Sequence, residues 1–146
     1  MVAFGPVCIA IWNAQPTRTL FEVQRSSLAS AVLKAPGEAL FLCVVASDAR
    51  PPEQDIRDAS SAMITGHGKS LAGCACVIEG SGFRAAITRT VLSGIVLITR
   101  TPSPVVFFDS VASALPWLQK RSTRVDLQGL AEALDEARPR VAPVVE

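Results

Sequence analysis

The chain contains a single histidine, and that scarcity already narrows its chemistry. His67 stands between Gly66 and Gly68, and the local sequence fixes neither an orienting carboxylate nor a second ligand beside it. A general base held by an acid, or a metal site, needs such company. The expected reading is an exposed histidine where a helix gives way to a loop.

Long apolar runs are missing as well. A bilayer span takes about 20 apolar residues, whereas the longest candidate, Val91 to Ile98, is short and broken by Ser93-Gly94. No excess of one charge exists: 14 basic residues against 13 acidic ones leave +1. Apart from Lys120-Arg121 and nearby Arg124 the basic residues are dispersed, which gives no footprint for nucleic acid or an anionic membrane. Met1 to Pro6 lacks the basic region of a secretory signal and leads straight into a strand-like stretch. The expected location is the cytoplasm, with no membrane span. Catalytic patterns are absent too. There is no nucleophile elbow with a Ser-His-Asp set and no paired-carboxylate motif. Asp48, Glu53, Asp55 and Asp58 read as a solvated helix entrance, where negative charge suits the helix N-terminus. No catalytic residue, metal or cofactor is expected.

What is present is the material of a core. Of 146 residues, 49% are apolar and 18% charged, a globular composition with enough length for one domain. Three charge-free stretches have strand length: Val7 to Trp12 (VCIAIW), Ala39 to Ala46 (ALFLCVVA) and Leu71 to Ile78 (LAGCACVI). Such runs suit strands covered on both faces. Met1 to Phe4 adds a short strand that turns at Gly5-Pro6, and Val105 to Phe108 adds another at the far end.

Helical periodicity fills the gaps. Thr19 and Glu22 have the spacing of a capping box for a helix running to about Lys34, with Phe21, Leu28 and Val32 inward and Pro36-Gly37 as the stop. Ile56, Ala59, Met63 and Ile64 mark a second helix entered through Pro51-Pro52 and closed by Gly66-His67-Gly68. Ser81 caps a third, carrying Phe83, Ile87, Val91, Ile95 and Ile98. Asp109 or Ser110 caps a fourth with Val111, Leu115, Trp117 and Leu118, in which Pro116 predicts a kink or an early end. A last amphipathic helix over 126–137 puts Leu127, Leu130, Ala131 and Leu134 inward, and the chain frays from Arg138-Pro139. The order β-β-α-β-α-β-α-β-α makes this an α/β domain with a mainly parallel sheet of about five strands, opened by a hairpin and flanked by about four helices.

Val7 to Trp12, Cys74 to Gly94 (CACVIEGSGFRAAITRTVLSG) and Val105 to Leu118 (VVFFDSVASALPWL), taken in this order, resemble a STAS-like domain. That is the fold of anti-sigma-factor antagonists and of the cytoplasmic ends of sulfate transporters, and more narrowly of small stand-alone bacterial proteins. The resemblance covers roughly residues 1–119, which makes 1–121 the expected domain and 122–146 a C-terminal extension. It implies a single-domain sandwich and a non-catalytic role as an interaction or regulatory module. Phosphorylatable members carry an Asp-Ser pair at the start of the helix after the second long strand. Here Arg50, Pro51 and Pro52 occupy that position, Ser47 precedes it and Ser60-Ser61 lie further into the helix. Phosphorylation at the usual place is therefore not expected.

Three residue groups remain as candidate sites. Cys74 and Cys76 share one face of a strand, but zinc prefers C-x₂₋₄-C pairs and redox pairs the C-x-x-C spacing, so all four cysteines (Cys8, Cys43, Cys74, Cys76) read as small core hydrophobes. Gly80, Ser81 and Gly82 before a helix, with Arg84 and Arg89 close by, could offer N–H groups to an anion; both phosphate-loop patterns are absent, and a plain tight turn is the other reading. The third helix is apolar on two sides. At about 100° per residue, Ala85, Leu92 and Val96 lie opposite the Phe83–Ile98 stripe. Either the C-terminal extension covers that second side, or it faces a protein partner or a second copy, with Leu92 and Val96 central and Arg84 and Arg89 at the rim. An apolar pocket between sheet and helices for a small molecule or lipid is the alternative function.

Overall fold

A computed structural model describes residues 2–12, 17–46, 53–80, 86, 89–90, 104–123 and 125–140. Strands β1 (Val2–Phe4), β2 (Val7–Trp12), β3 (Ala39–Val45), β4 (Leu71–Ile78) and β5 (Val105–Phe108) lie side by side in chain order. β2 to β5 run parallel, and β1 pairs antiparallel with β2 through the tight turn at Gly5, whose φ is +55°. Helices α1 (Arg18–Lys34) and α2 (Gln54–His67) make the first two crossovers; α3 (Val111–Arg121) and α4 (Leu127–Arg140) follow β5. Among the described residues no helix is long and apolar enough to cross a membrane.

Alternation along the strands divides the core. Val7, Ile9, Leu40, Leu42, Val44, Ala75 and Val77 point to the face covered by Ala114 and Leu118 of α3 and Leu130 and Leu134 of α4. Cys8, Ala10, Phe41 and Cys74 point to the opposite face, against Phe21, Leu28 and Val32 of α1 and Ile56 and Met63 of α2. α1 and α2 share a face because the strand order advances steadily in one direction and parallel crossovers keep one hand. The chain then wraps around the β5 edge, and α3 lies on β3–β5 while α4 lies on β1 and β2. Leu130 and Leu134 are fully buried, so residues beyond 121 share the core of those before it.

One irregularity adjusts the faces. Ala39 pairs with Leu71 and Leu40 with Gly73, leaving Ala72 as an extra residue in β4. Without this bulge, Leu71 and Cys74 would face opposite layers; with it, both pack against α1 and α2. The displaced Ala72 carbonyl accepts from Arg121 Nε at 3.3 Å and Nη2 at 3.2 Å. The Arg121 guanidinium lies 5.7 Å from the Trp117 ring centroid, and that ring covers Gly73 so closely that a Cβ there would sit 2.7 Å from Trp117 Cη2. Trp117 also meets Phe108, the rings tilted by 59° with centroids 5.9 Å apart.

Local signals differ from the sequence reading in three places, one being that α4 continues through Arg138-Pro139, expected to fray, to Arg140. Thr17, rather than Thr19, caps α1: its Oγ1 accepts the Leu20 amide at 3.2 Å, and Glu22 turns to Arg25 instead of back to the cap. The helix begins two residues early and encloses the expected capping box. Pro116 does not end α3, which continues to Arg121. Pro116 and Ala112 are both exposed, so the carbonyl that loses its donor faces solvent, and buried Ala114 and Leu118 hold the helix down. Ser110 is the cap, accepting from Ser113 N at 3.2 Å.

Gly73→Ala should destabilise the fold by about 1–3 kcal/mol, since the large ring above it must give way. Gly66→Ala, in a helix with nothing within 4 Å of the new methyl, should instead leave stability unchanged or raise it by about 0.5–1 kcal/mol. Urea denaturation of the two variants beside the parent checks the contrast, and equal effects would remove the role assigned to the Trp117 contact.

Candidate functional site

The α1/α2 face of the parallel strands gathers the chemistry-bearing residues. Two cross-strand rows define the place. Cys8, Phe41, Cys74 and Val105 stand in register, and one step further along stand Ala10, Cys43, Cys76 and Phe107. Beyond them Trp12, Val45 and Ile78 close the sheet. Val45, Cys76 and Ile78 form a small buried cluster of their own, with Trp12, Cys43 and Phe107 partly exposed around it.

All four cysteines are thiols, and their settings differ. Cys8, Cys74 and Cys76 are buried, while Cys43 is partly exposed. Burial pushes the Cys8 thiol up to about 11 and Cys74 higher still. Cys76 is also held well above its ordinary range, first by a hydrogen bond shared with the Cys43 side chain and then by burial. Sequence spacing placed Cys74 and Cys76 together; the parallel register adds Cys43, which nothing local could pair with a residue 33 positions away. Among the described residues, no group of three or more His, Cys, Asp or Glu is placed to hold a metal ion.

At the end of β4 the backbone turns through Gly80, whose φ is +95°, a conformation that favours glycine. Arg89, on a helical stretch with Ala86 and Thr90, reaches back so that its Nη2 donates to the carbonyls of Ile78 at 2.9 Å and Gly80 at 2.6 Å. Ile78 lies past the last β4–β5 pair, Val77 with Phe108, so the arginine takes over where the ladder stops. Arg84, Leu92 and Val96 of the expected interface, and Ser81 and Gly82 of the expected anion turn, lie outside the described residues. His67 is the last residue of α2, partly exposed, where a basic group suits the carboxyl end of a helix. Ser60 Oγ donates to the Ile56 carbonyl at 2.8 Å.

A different surface emerges on α1. Leu20, Val23 and Leu33 are the large apolar side chains exposed among the described residues, at 51, 48 and 82%. Beside Val23 an open depression of about 570 Å³ runs along Arg18, Thr19, Glu22, Ser26 and Ser27. The inward stripe of Phe21, Leu28 and Val32 dominates the pattern of this helix and masks the residues outside it. The usable signal was there: three large aliphatic residues left over once Phe21, Leu28 and Val32 had been assigned inward.

Compared with protein-family models, with curated proteins and with solved structures, the chain matches none of them.

The thiol settings have a pH consequence. A buried thiol raised in the folded state stays protonated there while the unfolded chain ionises near 9.0, so folding loses nothing below that pH and weakens progressively as pH climbs from 9.0 to about 11 for Cys8. Cys74 and Cys76 extend the loss in the same direction. Chemical denaturation followed from pH 7 upward should show a flat stretch and then a decline, and the Cys8→Ala variant should decline less steeply. Equal slopes for parent and variant would contradict the assignment.

Proposed function

We propose that this chain is a STAS-like, cytoplasmic, non-catalytic module that works by binding another protein or a second copy of itself, without the usual phosphoacceptor Asp-Ser pair. The observation that carries the reading is the concentration of exposed aliphatic side chains on one helix, Leu20, Val23 and Leu33 on α1. Leu20 and Val23, three residues apart, are neighbours on one side of the helix, with Leu33 exposed near its far end, and association there removes apolar area from water. The two-sided apolar pattern around Leu92 and Val96 supports the same reading from the sequence, with Arg84 and Arg89 beside it. The resemblance of the β-strand and helix order to STAS-like domains supplies the class.

Native mass spectrometry of the gently purified full chain tests this, with Leu20→Asp/Leu33→Asp and Leu92→Asp/Val96→Asp as paired variants. The proposal expects a dimer or a retained protein partner in the parent and a loss of about tenfold or more of that species in at least one pair. Retention of all association in both folded pairs would sink it. A small-molecule adduct released on denaturation, without a protein partner, would replace it with the apolar-pocket reading.

A further inference from the structure

We infer that Cys43 and Cys76 form an oxidisable thiol pair, in which partly exposed Cys43 takes up a low-molecular-weight disulfide and Cys76 resolves it into a bond between β3 and β4. This inference is independent of the proposed interaction role. The two residues are register partners on neighbouring parallel strands, with side chains on the same face. Neighbouring strands lie about 4.8 Å apart, inside the roughly 4.4–6.8 Å Cα separation that a disulfide spans.

The other thiols are excluded by position. Cys74 and Cys8 flank Phe41 in their own row, so neither stands opposite a cysteine, and both are buried. Cys74 lies two residues from Cys76 along one strand, about 6.6 Å away and at the far end of the bridging range. Cys43 is the one thiol of the four with solvent access, which an incoming disulfide requires.

The exchange balances without further reagents. The Cys43 thiolate attacks one sulfur of the small disulfide, the S–S bond breaks, and one small thiolate leaves. Cys76, giving its proton to solvent or to that leaving thiolate, then attacks the Cys43 sulfur and expels the second small thiol. Two protein thiols are oxidised by two electrons and the small disulfide is reduced to two thiols. Because Cys76 packs with Val45 and Ile78, beside Trp12 and Phe107, the new bond alters packing at the carboxyl edge of the sheet.

The test uses the reduced, folded full chain incubated with glutathione disulfide at several thiol-to-disulfide ratios. Acid quenching, alkylation under denaturing conditions and peptide mass mapping follow. The expected product is a peptide pair joined through Cys43 and Cys76 and lighter by two hydrogen atoms, with Cys8 and Cys74 alkylated and Trp12 fluorescence changed. In Cys76→Ser, the Cys43 mixed disulfide should persist instead of resolving. Three results would overturn the inference: no modification of the folded chain, a mixed disulfide at Cys43 in the parent that never passes to Cys76, or oxidation that falls on Cys8 or Cys74. The parent chain alone decides among these, so the conclusion survives a variant that fails to fold.

Discussion

Everything in this fold depends on the pairing of β3 with β4. Both strands are buried on both faces, so each backbone N–H and C=O must find its partner within the sheet, and a slip of one residue would send every side chain to the wrong layer. The bulge at Ala72 is where that constraint is met. It lets Leu71 and Cys74 face α1 and α2 while Gly73 and Ala75 face α3. The same bulge frees a carbonyl, and Arg121 and Trp117 are placed to receive it and to cover the glycine beside it. A local defect in the ladder thus anchors the helix on the opposite side.

A second long-range tie has the same logic. Ser122, buried just past α3, donates its hydroxyl to the Glu38 carboxylate in the turn before β3. At the other end of the sheet Arg89 caps the carbonyls left over when β5 stops. In each case a polar side chain meets backbone or carboxylate oxygens where regular hydrogen bonding ends, which is where unpaired groups would cost most.

The parts legible in the sequence were those governed by periodicity. Charge-free runs identified β2, β3 and β4, and the spacing of Phe21, Leu28, Ile56, Met63, Leu118, Leu130 and Leu134 identified inward faces that are buried in the structure. Features set by competition between nearby residues were less legible. Thr17 and Thr19 both offer a hydroxyl at a helix start, and only the path of the chain chooses between them. Pro116 is unfavourable by local rules, but its exposed side tolerates the missing donor. The Cys43–Cys76 register depends on two strands separated by a helix, and no local pattern encodes it. The outer apolar residues of α1 were visible in the sequence and were overshadowed by the stronger inward stripe.

The placement of α4 on β1 and β2 bears on how the molecule comes into being. Strand β2 has one apolar layer, Val7 and Ile9, that is covered only when Leu130 and Leu134 arrive more than a hundred residues later. A chain emerging from the ribosome can close the α1/α2 layer early, from contacts between neighbours in sequence, but must keep the other layer open until α3 and α4 have been made. During that interval the half-finished sheet is a greasy surface awaiting its last two helices. Folding of the second layer is therefore a late step, and the nascent chain is most vulnerable to aggregation just before it.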